Sequence, residues 1–222
     1  MAFFAIKRVM SERAGLEEEN PDYKVFFQDD NLLSFDAYVA GPDDSLYRHK
    51  LLKLHFEIPE LYPMVPPKVT FIQHSGGRVH PNLYLDGTVC LSILGTWPGE
   101  QWTSVLCIHT VLISIRALLD NEPYRHEPER GNDPEYNKFV QFTTWRALLI
   151  DYAENEMAKR AQDFVKNFVR ERSARIMEEI FAEKEVNKDV VCLSNPYSEW
   201  VFRPNYDRLI MDMRAILSGA ML

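Results

Sequence analysis

The spacing of apolar positions changes twice along this chain, and the changes mark its elements. Residues 5–18 read as a short helix that offers Ile6, Val9 and Met10 to a core and stops at Asn20-Pro21. Strand spacing follows. Tyr23 to Gln28 is rich in aromatic and β-branched residues. Leu33, Phe35, Ala37 and Val39 alternate with polar neighbours as far as the turn Gly41-Pro42-Asp43-Asp44. Leu52, Leu54, Phe56 and Ile58 alternate again, and Val69 and Phe71 mark a fourth strand. Four strands in succession joined by short turns predict an antiparallel meander with one face buried. Between the third and fourth, Leu61-Tyr62-Pro63-Met64-Val65-Pro66-Pro67 is too rich in proline for a helix or a central strand. It predicts a stiff loop that presents Met64 and Val65.

From Ser104 the period becomes helical. Val105, Ile108, Val111, Leu112, Ile115, Leu118 and Leu119 recur at three- and four-residue spacing, and Asn121-Glu122-Pro123 ends the run. Residues 134–150 predict a second helix with Phe139, Phe142, Trp145 and Leu149 on one face. A long helix is predicted over 152–185, striped by Met157, Ala161, Phe164, Val165, Phe168, Ile176, Ile180 and Phe181. After a loop from Asn195 to Pro204, Tyr206, Leu209, Ile210, Met213, Ile216 and Leu217 mark a last helix.

Composition narrows the function classes. The 222 residues are 46% hydrophobic and 26% charged, the balance of an ordinary globular protein. No stretch has the roughly 18 successive apolar residues of a membrane helix, and Lys7 and Arg8 interrupt the apolar start, so no secretory segment is expected. A net charge of −8 makes a general nucleic-acid binder a poor fit. Lys7, Arg8 and Arg13 precede Glu17, Glu18 and Glu19. They form either a small basic face for an acidic partner or an ordinary solvated helix face. The cysteines are Cys90, Cys107 and Cys192, with no CxxC pair, which argues against disulfides and structural zinc and favours a reducing compartment. Cys107 and Cys192 read as packed thiols. His49, His55, His74 and His109 lack ligand spacing, so no metal is expected.

The chemistry concentrates in one segment, His80-Pro81-Asn82-Leu83-Tyr84-Leu85-Asp86-Gly87-Thr88-Val89-Cys90. Asp86-Gly87 can fold the chain back and bring the Asn82 amide close to the Cys90 thiol. A thiol beside a neutral hydrogen-bond donor, with no evident strong base, suits acyl transfer better than hydrolysis. A Cys-His protease dyad with His80 would also need an orienting third group and a deep pocket. Out of context, Cys90 reads as a buried core thiol.

The order of these features resembles the ubiquitin-conjugating (E2) enzyme family. Gly41-Pro42-Asp43-Asp44-Ser45-Leu46-Tyr47 is similar to its loop after the second strand, and Tyr62-Pro63-Met64-Val65-Pro66-Pro67-Lys68 to its YPxxPPK loop. His80-Pro81-Asn82 followed by Cys90 matches its HPN motif and catalytic cysteine, and Trp102 its following segment. A lone HPN is weak evidence, whereas the ordered set is specific. Cys90-Leu91-Ser92-Ile93-Leu94-Gly95-Thr96-Trp97, the longer loop from Gln73 to Val79, an insertion before Trp102 and a helical C-terminal extension resemble the large Z-type members.

That resemblance implies an α+β, UBC-like fold: an N-terminal helix, a four-stranded meander, C-terminal helices and a helical extension. It implies a core catalytic domain over 1–150 and an extension over 151–222. The extension's apolar stripe needs burial, most simply on its own core; a surface for a particular partner or for self-association is the alternative. Cys90 would accept ubiquitin or a ubiquitin-like protein from an activating enzyme (E1) as a thioester and pass it to a substrate lysine or to a ligase (E3) cysteine. Asn82 would either donate to the oxyanion or support the Cys90 loop, and His80 would brace that loop. Where many relatives carry an acidic or serine residue beyond the central helix, this chain has Tyr124, Arg125 and His126, and His126 is the candidate proton acceptor. Lys7 and Arg8 correspond to the E1-facing surface, and Met64, Ser104 and Val105 to the E3-binding loops. No cofactor is implied, since the E1 consumes the ATP, and neither nucleic acid nor membrane is an expected partner. The cytoplasm is the expected location, with the nucleus open. The alternative is a non-catalytic UBC-fold scaffold that binds ubiquitin.

Overall fold

The computed structural model describes residues 2–28 and 30–218. Helix α1 (Ala2–Glu17) begins earlier than expected. It buries Ala5, Val9 and Leu16, while Met10, expected inside, is 59% exposed. Strands β1 (Tyr23–Phe27), β2 (Ser34–Ala40), β3 (Leu51–Glu57) and β4 (Lys68–Ile72) follow. They pair in sequence order, antiparallel throughout. The register lines Val25, Ala37, Leu54 and Phe71 up in one row across the sheet. That row belongs to one hydrophobic core with Ile108, Val111, Leu112 and Ile115 of α2 (Ile108–Arg116). The turns are less uniformly short than expected: residues 41–50 and 58–67 are loops in their own right.

Helix α2 starts four residues after Ser104. Cys107 is its N-cap, in an extended conformation, and Glu12 of α1 accepts from the Ile108 N–H at 2.9 Å. Glu12 also accepts from the Tyr62 hydroxyl at 2.7 Å and pairs with Arg8. One carboxylate thus ties α1, the proline loop and the α2 N-terminus together, where a helix end favours negative charge. Ser104 and Val105 are left outside the helix on an exposed turn, with Val105 83% exposed.

Helix α3 (Pro134–Trp145) opens on a capped end, with Asp133 accepting from the backbone N–H groups of Glu135 and Tyr136 and Pro134 at the first turn. It runs through a π turn (Arg146–Ile150) into α4 (Asp151–Asn155), so a helix crosses the boundary expected at position 150. The chain breaks at Glu156, and α5 (Lys159–Val186) and α6 (Tyr206–Ser218) complete it. Met157 lies in the break and is 96% exposed; Phe181 also faces outward. Neither belongs to the buried stripe.

The sheet was expected to bury one face, and the other is covered as well around Tyr38. Tyr38 points away from the inner core and is fully buried. Its ring meets Phe26 at 5.9 Å, Tyr152 at 5.9 Å and Phe164 of α5 at 5.6 Å. Its hydroxyl donates to Glu156, which also pairs with Lys53. The Tyr152 hydroxyl accepts from the Lys53 N–H at 3.2 Å and donates to the Ile72 carbonyl at 2.6 Å. The extension is therefore a second layer on the outer face, and its buried residues share one core with the rest.

A buried stack fixes α5. The Lys50 ammonium sits 3.6 Å from the centroid of the Trp145 ring, and the Trp145 indole N–H donates to the Glu183 carboxylate at 2.9 and 3.0 Å. Burial lowers Lys50 to about 8 and raises Glu183 to about 7. Replacing Trp145 with Phe keeps a ring under Lys50 but removes the indole donor from Glu183. We expect W145F to lower stability by about 2–4 kcal/mol in urea unfolding, and F181A on the exposed side of α5 to change it by less than about 0.5 kcal/mol.

Candidate functional site

Residues 80–90 form a closed hairpin. The Leu83 N–H donates to the His80 carbonyl at 3.0 Å, the Tyr84 N–H to Thr88 at 2.9 Å and the Gly87 N–H to Tyr84 at 3.0 Å. Gly87 sits at φ 91°, and a Cβ there would lie 2.5 Å from Thr70 Cγ2, so the turn needs glycine twice over. The Gly87 carbonyl accepts from Phe71 of β4 at 2.8 Å, which fastens the hairpin to the sheet.

Asn82 and Cys90 close this loop by exchanging two hydrogen bonds. The Cys90 N–H donates to the Asn82 carbonyl at 2.8 Å, and the Asn82 side-chain amide donates to the Cys90 carbonyl at 2.9 Å. The amide was expected close to the thiol, either as an oxyanion donor or as a support for its loop; it bonds the backbone that carries the thiol. After Cys90, the Thr96 hydroxyl donates to the Val89 carbonyl at 2.6 Å and accepts from the Leu91 N–H at 2.9 Å. Cys90 is therefore held on both sides.

His80 is fully buried. Its Nε2 donates to the Leu118 carbonyl at 2.9 Å and its Nδ1 accepts from the Asn82 N–H at 3.0 Å, which fixes the neutral Nε2–H tautomer. Burial first, and the neighbouring charges of His126 and Arg78 next, lower it to about 3. It cannot serve as a base-acid pair with Cys90 near neutral pH, and its bonds brace the loop. His126 lies on a short 3-10 turn (Pro123–His126), where its Nε2 meets Asp120 Oδ2 at 2.9 Å and its ring lies 5.0 Å from that of His80.

Cys90 is 6% exposed, less open than an acyl acceptor was expected to be. Burial pushes its thiol above the ordinary value; a hydrogen bond from Tyr84 and the charge of Arg78 pull it down, and Asp86 and Glu127 push it up. Tyr84 and Arg78 were not anticipated as site residues, although both lie in or next to the motif. Tyr197, from the loop before α6, reaches the same cluster: the Arg78 guanidinium lies 3.6 Å from the Tyr84 ring centroid and 4.2 Å from that of Tyr197. Nothing in the sequence signals Tyr197, since its contact with the site is made only by folding.

The expected partner residues lie elsewhere on the surface. Met64 is 73% exposed on the proline loop, and Leu61 beside it is also exposed. Trp102 anchors that loop, its indole N–H donating to the Pro63 carbonyl at 2.7 Å. Ser104 and Val105 are exposed on the next turn. On α1, Lys7 is exposed, but Arg8 is paired with Glu12 and donates to the Leu106 carbonyl at 3.0 Å. Arg13 pairs with Glu17 at 2.8 Å. Of the two readings of this segment, a basic face for an acidic partner or an ordinary solvated helix face, these pairings favour the second. Cys192, expected to be packed, is exposed, and Cys107 is half-buried. Among the described residues, no group of His, Cys, Asp and Glu is placed to hold a metal ion, and no helix is long and apolar enough to cross a membrane.

Residues 8–139 match the family model described as ubiquitin-conjugating enzyme. The chain is 33% identical over 198 residues to ubiquitin-conjugating enzyme E2 Z of Danio rerio, covering 81% of this chain and 57% of the relative. It is 38% identical over 128 residues to the human E2 Z, covering 54% of this chain and 36% of the relative. Human ubiquitin-conjugating enzyme E2 G1 aligns structurally with a TM-score of 0.43 and 27% identity, covering 52% of this chain and 91% of that one. The chain thus spans little more than half of the zebrafish relative and about a third of the human one. With its motifs in the family order, its HPN segment closed onto Cys90 and well over half its length matched, this chain belongs to the ubiquitin-conjugating enzyme family, with relatives of the Z type.

Proposed function

We propose that Cys90 accepts ubiquitin or a ubiquitin-like protein from an E1 as a thioester and transfers it to a substrate lysine or to an E3 cysteine. The Asn82–Cys90 exchange carries this reading, because it fixes one thiol on a rigid hairpin with no base among the described residues hydrogen-bonded to it. In loading, the Cys90 sulfur attacks the thioester carbonyl, a new C–S bond forms and the bond to the E1 sulfur breaks. The Cys90 proton leaves to solvent, and the departing thiolate takes one up. The exchange is nearly balanced in free energy, so positioning and oxyanion stabilisation carry the rate.

Asn82 supports the loop with one amide hydrogen; the second is the donor left for an oxyanion. His126, oriented by Asp120, is the proposed acceptor for the proton of an incoming amine. We assign Lys7 to contact with the E1, and Met64, Ser104 and Val105 to contact with an E3, on their exposure. The E1 consumes the ATP and the chain needs no cofactor of its own. Three free cysteines favour the reducing cytoplasm. The low exposure of Cys90 favours a second reading, a non-catalytic scaffold that binds ubiquitin through the same fold.

Charging separates the two. With ubiquitin, ATP and an E1, a non-reducing gel should show a band heavier by one ubiquitin that thiol removes. C90A should lose it, and C90S should give an oxyester that resists thiol. No charging by any of several E1 enzymes and modifiers would favour the scaffold. N82A should still charge but discharge to free lysine about tenfold or more slowly, on the scale of a lost oxyanion donor; normal discharge would remove the catalytic role of the amide. Because burial raises the Cys90 thiol, less thiolate exists at neutral pH than for an ordinary cysteine. Below the thiol pKa, the Cys90 alkylation rate should climb about tenfold per pH unit. Its midpoint should lie above that of a free cysteine.

A further inference from the structure

Among the described residues, Tyr197 brings the C-terminal extension to the thiol site. Tyr197 lies in the loop between α5 and α6, and its ring stands 4.2 Å from the Arg78 guanidinium. The same guanidinium stands 3.6 Å from the Tyr84 ring, and Tyr84 and Arg78 are the two neighbours that pull the Cys90 thiol down. Arg78 is committed to this arrangement. One of its terminal nitrogens donates to the Pro81 carbonyl, and its own carbonyl accepts from the Tyr136 hydroxyl at 2.9 Å. Its Nε is buried with no hydrogen-bond partner among the described residues. Aromatic faces are what such a weakly hydrated cation packs against when hydrogen-bond partners run out. Tyr197 is itself fixed, by a 2.6 Å hydrogen bond to Glu127 and by edge contact with the Tyr136 ring at 5.7 Å.

We propose that Tyr197 is a positioning residue of the Cys90 site: by clasping Arg78 it holds Tyr84 over the sulfur, so that the extension controls access to the thiol. This rests on the reading of Cys90 as the acyl acceptor. On this proposal the clasp adds to the cover over a cysteine that is only 6% exposed at the end of its hairpin. Loading Cys90 then requires Tyr84 to move, and the strength of the Arg78–Tyr197 contact sets how often it does. A chain lacking the extension would keep the hairpin and lose this control.

The test is the alkylation rate of Cys90 by iodoacetamide in the full chain, resolved from Cys107 and Cys192 by mass spectrometry. It is read on the high-pH plateau, where the thiol is fully ionised and the rate reports access alone. Y197A should raise the plateau rate at least fivefold. Y197F, which keeps the ring and loses only the bond to Glu127, should stay within twofold of the parent chain. I216A, which loosens α6 elsewhere in the extension, should leave the Cys90 plateau unchanged while lowering the melting temperature. An unchanged plateau in Y197A overturns the proposal, and so does an equal rise in I216A, which would mean general loosening. The assay uses neither E1 nor modifier, so it reports on the clasp even if the chain never charges.

Discussion

The two hydrogen bonds exchanged by Asn82 and Cys90 hold the site together. Each residue gives the other one donor and one acceptor, so the hairpin between them is closed at its base. An open loop would leave the sulfur without a fixed position, which the proposed acyl transfer needs. Around this pair the neighbouring groups take fixed roles. His80 is locked as a neutral donor to Leu118, and Gly87 permits the turn. Phe71 ties the hairpin to β4, and Thr96 stitches the chain that follows. The sheet and α2 form a frame that gives these bonds fixed ends.

The same frame explains why the extension docks where it does. A four-stranded sheet with helices on one side leaves Tyr38 and Phe26 on the other, too apolar to stay in water. Phe164 and Tyr152 cover them. Burying that face also traps charged groups, and three of them are answered: Glu156 by Tyr38 and Lys53, Glu183 by Trp145, Lys50 by the Leu46 carbonyl and the indole face. These pairings specify one docking geometry for α5, because a shifted helix would leave buried charges without partners. With α5 fixed, the loop carrying Tyr197 falls next to Arg78.

Much of this was legible from residue spacing. The strand alternation at Phe35, Ala37 and Val39 and at Leu52, Leu54 and Phe56 places those side chains on the inner face, because a strand's period of two leaves little choice once one face is buried. Helix ends were less legible. The apolar run seemed to begin at Val105, but the helix begins at Ile108, because Glu12 caps it there. Met157 fits a helical stripe by spacing and stands in the break before α5. Arg8 and Arg13 left a basic face and a solvated helix face both open, and each is paired with a carboxylate one turn away. Spacing shows which residues share a face; it does not show which partner that face will meet.

The sequence by itself determined the meander, the proline loop, the hairpin closed by Asp86-Gly87, and the pairing of an asparagine with a cysteine at its base. All of these depend on local periodicity, turn chemistry and short separations along the chain, where few alternatives compete. Only the tertiary structure decided that the sheet's outer face is covered, that the Asn82 amide bonds the Cys90 backbone, and that Tyr197 reaches Arg78. Those outcomes depend on contacts between residues distant in the chain, which arise when whole elements pack, and single-residue preferences carry no record of them.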